Sequence, residues 1–100
     1  MKHVTFKTVP VVDPTGAGGE LDYRAYIALA VKQPLDGKAI GIDEMHKSVR
    51  LLNILEAATE KGADFEDADF DFLCAKVKAL KFSWVDSAFS QFVDDVTKGE

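Results

Sequence analysis

Cysteine and histidine are scarce in this sequence, and each shortage excludes something. Cys74 is the single cysteine in 100 residues, so no intrachain disulfide can form and a reducing compartment fits. His3 and His46 are the two histidines, and with one thiol they make no set at zinc-ligand spacing. No run approaches the ~18 apolar residues of a membrane span. Met1 to Lys7, reading MKHVTFK, lacks the apolar core of a secretory signal. A cytoplasmic protein with no membrane partner is the expectation by elimination.

Positive charge is also short. Twelve Lys and Arg stand against 17 Asp and Glu, a net charge of −5. The deficit lies in residues 51–100, with five basic and eleven acidic side chains against seven and six in residues 1–50. An acidic surface repels phosphate backbones and anionic lipid, which disfavours nucleic-acid and membrane-surface roles. It keeps a small domain soluble and steers it toward basic partners.

What the sequence does hold is helical. Hydrophobic residues make up 47% and charged residues 29%, the balance of a globular chain long enough for one core and too short for two. Val4, Phe6 and Thr8 alternate with Thr5 and Lys7, as in a half-buried strand ended by Pro10. Residues 13–20 read as a flexible glycine-rich loop. Asp22 is placed to cap a first helix with Tyr23, Tyr26, Ile27, Ala30 and Val31 on one face, stopped by Pro34. Asp43 opens a longer second helix whose stripe is Met45, Val49, Leu52, Leu55 and Ala58, widened by Leu51 and Ile54 into a central helix. Gly62 reads as its left-handed C-cap. A third helix follows Asp64–Phe65, with Phe70, Leu73, Val77 and Leu80 inward, acids at its start and Lys76, Lys78 and Lys81 at its end, the polarity its dipole favours. A fourth opens near Ser83, where Ser83 and Asp86 have capping-box spacing, and buries Val85, Phe89, Phe92, Val93 and Val96. Residues 97–100 read as a frayed tail. The expected fold is a single mainly α domain, residues 1–100, with about four helices in a small bundle and a short N-terminal β element, at the border of α+β.

Three constellations resemble chemical sites and each fails a requirement. Asp67-x-Asp69-x-Asp71 copies the first ligands of an EF-hand loop, but Phe72 stands where that loop needs glycine and Lys78 where it needs glutamate. Gly16-Ala17-Gly18-Gly19 lacks the Lys-Ser/Thr of a phosphate loop, and Glu20 puts negative charge where phosphate would sit. Cys74 lies between Leu73 and Ala75 beside an apolar stripe, the setting of an inert buried thiol. The expectation is therefore no catalytic residue, no cofactor and no metal. Trp84 and Phe72 do not fit their helix stripes and are the candidate partner contacts, with Asp67, Asp69 and Asp71 as the candidate charged contacts.

Three stretches carry a resemblance: Asp22-Tyr23-Arg24, Glu66-Asp67-Ala68-Asp69-Phe70 and Gln91-Phe92-Val93-Asp94-Asp95-Val96. They resemble small proteins of the tail-morphogenesis modules of tailed phages and prophages, the tail assembly chaperones being the nearest functional class. The resemblance implies a small acidic helical protein in a bacterial host cell or on the virion. Its partners would be other tail components, with self-association, and it brings no catalytic residues. The alternative is an acidic regulatory adaptor or inhibitor that occupies a basic site on a target protein.

Overall fold

Residues 1–99 are described by a computed structural model. In chain order they form β1 (Lys2–Thr5), β2 (Thr8–Val12), β3 (Gly18–Asp22), α1 (Tyr23–Lys32), α2 (Ile42–Ala57), β4 (Gly62–Phe65), α3 (Asp67–Lys78) and α4 (Ser87–Lys98). Two antiparallel pairs, β1 with β4 and β2 with β3, stand beside the four helices. This corrects the expected mainly α bundle: helices hold 51% of the residues and strands 19%, an α+β domain. The β share is larger because β3 and β4 occupy stretches that read as loop and as helix boundary.

The β2–β3 hairpin replaces most of the expected loop at 13–20. Asp13 organises its turn: Oδ1 accepts from the amides of Thr15 and Ala17 and from the Thr15 hydroxyl. Pro14 supplies the fixed φ that starts such a turn, and Gly16 takes the left-handed position at φ +90°. Gly18 and Gly19 then pair with Val12 and Val11 as strand residues. Pro10 lies inside β2, opposite Glu20. Hydrogen bonds at Tyr23–Lys7 and Asp13–Ala17 put the bonded pairs at odd-numbered positions of β2, so the nitrogen of Pro10 faces away from β3 and no ladder bond is lost.

The β1–β4 pair joins distant parts of the chain in the register His3↔Asp64, Val4↔Ala63 and Thr5↔Gly62. Gly62 is therefore a strand residue; the expected helix cap is corrected. It is glycine because the backbones touch there: a Cβ would sit 2.3 Å from the Val4 carbonyl oxygen. His3 Nδ1 meets Asp64 Oδ1 at 2.7 Å across the pair and fastens it.

Helix α1 forms as expected, with the Asp22 side chain accepting from the Arg24 amide and Tyr23, Ile27, Ala30 and Val31 buried. Helix α2 begins at Ile42, one residue before the expected cap. Its core face is Ser48, Leu51 and Leu55, whereas Ile42, Met45 and Val49 are exposed, so α2 is peripheral. The register differs because a half-buried ion pair occupies the inner side: Lys76 of α3, its side chain fully buried, donates to Glu44 Oε2 at 2.6 Å and to the Gln33 carbonyl. Helix α4 starts at Ser87, capped by the Asp86 side chain on the Ala88 amide. Val85 consequently precedes the helix and is fully exposed. Of the expected tail, Thr97 and Lys98 belong to α4 and Glu100 lies outside the described residues.

Tyr23, Leu21, Ile27, Leu51, Phe65, Leu73, Val77, Phe92 and Val96 fill the core between helices and strands. At its edge Asp95 gathers three donors: the Tyr23 hydroxyl at 2.6 Å, Gln91 Nε2 at 2.6 Å and Lys7 Nζ at 2.9 Å. Burial raises the Asp95 carboxyl, but these donors outweigh it and hold it below the usual carboxylate range. Burial first, and then Asp95 itself, push the Tyr23 phenol well above its ordinary value.

Candidate functional site

Helix α3 ends at Lys78, and the chain crosses to α4 through residues 79–86 without regular structure. This connector is held at both ends. Leu80 donates its amide to the Val77 carbonyl, closing the last turn of α3. At the other end, Trp84 Nε1 donates to the Val12 carbonyl at 2.9 Å, and Asp86 Oδ2 accepts from the Val12 amide at 3.0 Å. Both Val12 groups point away from β3, so residues 84–86 occupy the open edge of the hairpin.

Between the connector and α1 lies a groove. Tyr26 and Leu29 follow at i and i+3 on one face of α1, and Gln33 stands just past its end in extended conformation. One hollow, of about 160 Å³, lies among Tyr26, Leu29, Leu80, Phe82, Trp84 and Phe89. A second, of about 450 Å³, lies among Leu29, Pro34, Leu35, Ala79 and Leu80, with Gln33 and Asp36 at its rim. Leu29, Leu80 and Lys81 line both hollows, which makes the groove continuous.

The aromatic end is rigid. Phe82 stacks on Phe89 with ring centroids 4.5 Å apart, Tyr26 stacks on both, and Trp84 sets its edge on Phe89 at 5.3 Å. Such contacts add about 0.5–1.5 kcal/mol per pair beyond area burial. The opposite end is shaped by the loop after α1, where Asp36 Oδ1 accepts from the amides of Lys38 and Ala39. Those bonds hold its carboxyl below the usual range. Leu29 and Leu35 remain exposed at 44% and 37%, so the groove presents apolar surface that this chain does not cover.

Of the residues singled out in the sequence, Trp84 lines the groove. Its indole N–H is already committed to Val12, and it offers only its ring. Phe72 is half-buried under the amines of Lys47 and Lys76, at 5.7 and 5.5 Å from its ring centre. Asp69 accepts from Arg50 Nε at 2.9 Å, tying α3 to α2. Asp67 lies 3.5 Å from the N-terminal amine, and Asp71 is exposed. The three aspartates stand on the first turns of α3, about 15 Å along that helix from Ala79, so they share no site with Trp84. Among the described residues, no three His, Cys, Asp or Glu side chains are grouped to hold a metal ion, and no helix is long and apolar enough to cross a membrane.

Tyr26, Leu29, Leu80, Lys81 and Phe82 form the rest of the groove, and the sequence carried one signal for it. Leu29 falls off the apolar stripe of α1, on a side that an isolated amphipathic helix turns to solvent. The stretches that carried the phage resemblance line neither hollow and act within the fold: Tyr23 and Gln91 both donate to Asp95, and Arg24 donates to the carbonyls of Leu55 and Glu56 that end α2.

Against known proteins, the chain matches no family model, no curated protein and no solved structure.

Proposed function

We propose that this protein is a non-enzymatic assembly or interaction module that docks a segment of another protein in the groove between α1 and the 79–84 connector. The observation that carries this reading is the exposed apolar surface of Leu29 and Leu35 in a groove whose other end is a stacked aromatic ledge. Clustered apolar surface of this kind is what protein partners cover. Trp and Tyr at such a site are the side chains most often found at interface hot spots. The resemblance to small proteins of phage tail modules supplies the partner class: tail components bound during assembly in the bacterial cytoplasm or on the particle.

The test is co-expression with the products of the neighbouring genes. Isotope-labelled protein should show partner-induced shift changes at Leu29, Leu80 and Trp84, and Leu29→Glu should abolish them. A partner that binds equally well to Leu29→Glu refutes the groove, and neighbouring genes without tail functions refute the phage assignment. Exposed Glu66 and Asp71 at the start of α3 favour the second reading, an acidic adaptor on a basic target. Binding through that cluster would weaken steeply with salt, whereas groove binding would change little.

A further inference from the structure

The groove carries one cation at its midpoint, and that charge selects the ligand. Lys81 lines both hollows, is exposed, and makes no ion pair with any of the described residues. We infer that the groove takes an apolar segment of a partner protein that carries a carboxylate between two large apolar side chains. This inference rests on the groove being the docking surface proposed above.

Each hollow contributes a requirement. The 160 Å³ aromatic hollow has room for a single side chain and is walled mainly by the rings of Tyr26, Phe82, Trp84 and Phe89, with Ser83 and Lys81 as its polar neighbours and the indole N–H already bonded to Val12. An apolar or aromatic side chain fits there, in edge or stacked contact with Phe82 and Phe89. The 450 Å³ hollow sets Leu29, Pro34, Leu35 and Ala79 opposite polar Gln33, Asp36 and Lys81, and its apolar wall takes a second and larger side chain. Charge recognition between them is left to Lys81, and an acidic side chain is its complement. Asp36 stands at the rim of the larger hollow, so a second acidic residue at that end of the ligand would be repelled. The acid therefore belongs in the middle of the bound segment. A helix and an extended strand both meet these requirements; spacing between the apolar residues distinguishes them.

A library of random short peptides, displayed and selected on the intact protein, tests this directly. Wild-type protein should enrich Asp or Glu flanked by two large apolar residues, and Lys81→Glu should enrich Lys or Arg at the same position. A selected peptide, followed by fluorescence polarisation, should bind Lys81→Glu about tenfold more weakly and Leu29→Glu not at all, with circular dichroism confirming that both variants fold. Peptides that lose binding in Leu29→Glu but ignore Lys81→Glu overturn the carboxylate and leave the groove. Peptides indifferent to Leu29→Glu, or a library that yields no binder, overturn the groove itself. A concentration-dependent dimer that Leu29→Glu dissociates overturns the inference too, since a second copy would then be the occupant.

Discussion

Replacing Gly62 with alanine is a stringent test of the β1–β4 pair. The new Cβ would lie 2.3 Å from the Val4 carbonyl oxygen and 2.8 Å from His3 Nε2. The imidazole can swing aside, being partly exposed, but the carbonyl cannot: Val4 is 1% exposed, buried and paired with Ala63. Relief requires that contact to open from 2.3 Å to beyond 3.0 Å, which separates the strands at their Thr5–Gly62 end. The bond from the Phe6 amide to the Lys61 carbonyl, 2.8 Å long, lies one step further on and opens with it. One or two backbone hydrogen bonds at about 1 kcal/mol each, with about 1–2 kcal/mol for disturbed packing around Val4 and Phe65, give about 2–4 kcal/mol. For a domain of this size that lowers Tm by about 10–25 °C. Urea unfolding followed by Trp84 fluorescence and circular dichroism measures it. Gly19→Ala is the control, because its Cβ meets only a Val11 methyl at 3.8 Å and should change stability by less than about 0.5 kcal/mol. Adding His3→Ala to Gly62→Ala should restore little, since the decisive contact is with backbone. A Gly62→Ala protein within about 0.5 kcal/mol of wild type would refute the close approach.

Tyr23→Phe removes the 2.6 Å bond to Asp95 from a partly buried site and should cost about 1–2 kcal/mol in urea unfolding; an unchanged midpoint would count against that tie. The Lys76 hydrogen bond holds the Glu44 carboxyl below its ordinary 4.5. A lowered folded value makes the stabilisation complete above pH 4.5 and removes it as pH falls through the folded pKa. Thermal melts across the acid range should therefore fall more steeply for wild type than for Lys76→Met, and superimposable acid limbs would refute the coupling. Burial pushes the Cys74 thiol up, so a disulfide reagent at neutral pH should label it slowly in the native protein and at once in denaturant. Fast native labelling would contradict that setting.

What was legible in the sequence is what neighbouring residues decide. Helix α1 was readable because its cap, apolar face and stop lie within a dozen residues, from Asp22 to Pro34. β4 was not, because it is four residues long and its partner strand is remote: His3 and Asp64 are 61 positions apart. Glycine at position 62 also serves two roles, helix cap and close strand approach, which only the Val4 carbonyl distinguishes. On α2, periodicity favoured Met45 and Val49, yet the inner face holds Glu44 and Ser48 because Lys76 arrives there from another helix. Trp84 was readable as an oddity of its helix pattern. Its role at the edge of β2 was not, since the Val12 carbonyl it binds is 72 positions away.

The 61-residue separation across the β1–β4 pair also has a temporal side. A ribosome adding about 5–20 residues per second releases β1 several seconds before β4 exists. During that time Val4 has no sheet partner, while the β2–β3 hairpin and α1, being local, are free to form. The β1–β4 pair therefore forms after these local elements, once packing around Val4 and Phe65 offsets the entropy of closing its long loop. Substitutions in β1 should accordingly leave the folding rate nearly unchanged and speed unfolding instead, making this strand the place where the lifetime of the folded state is set.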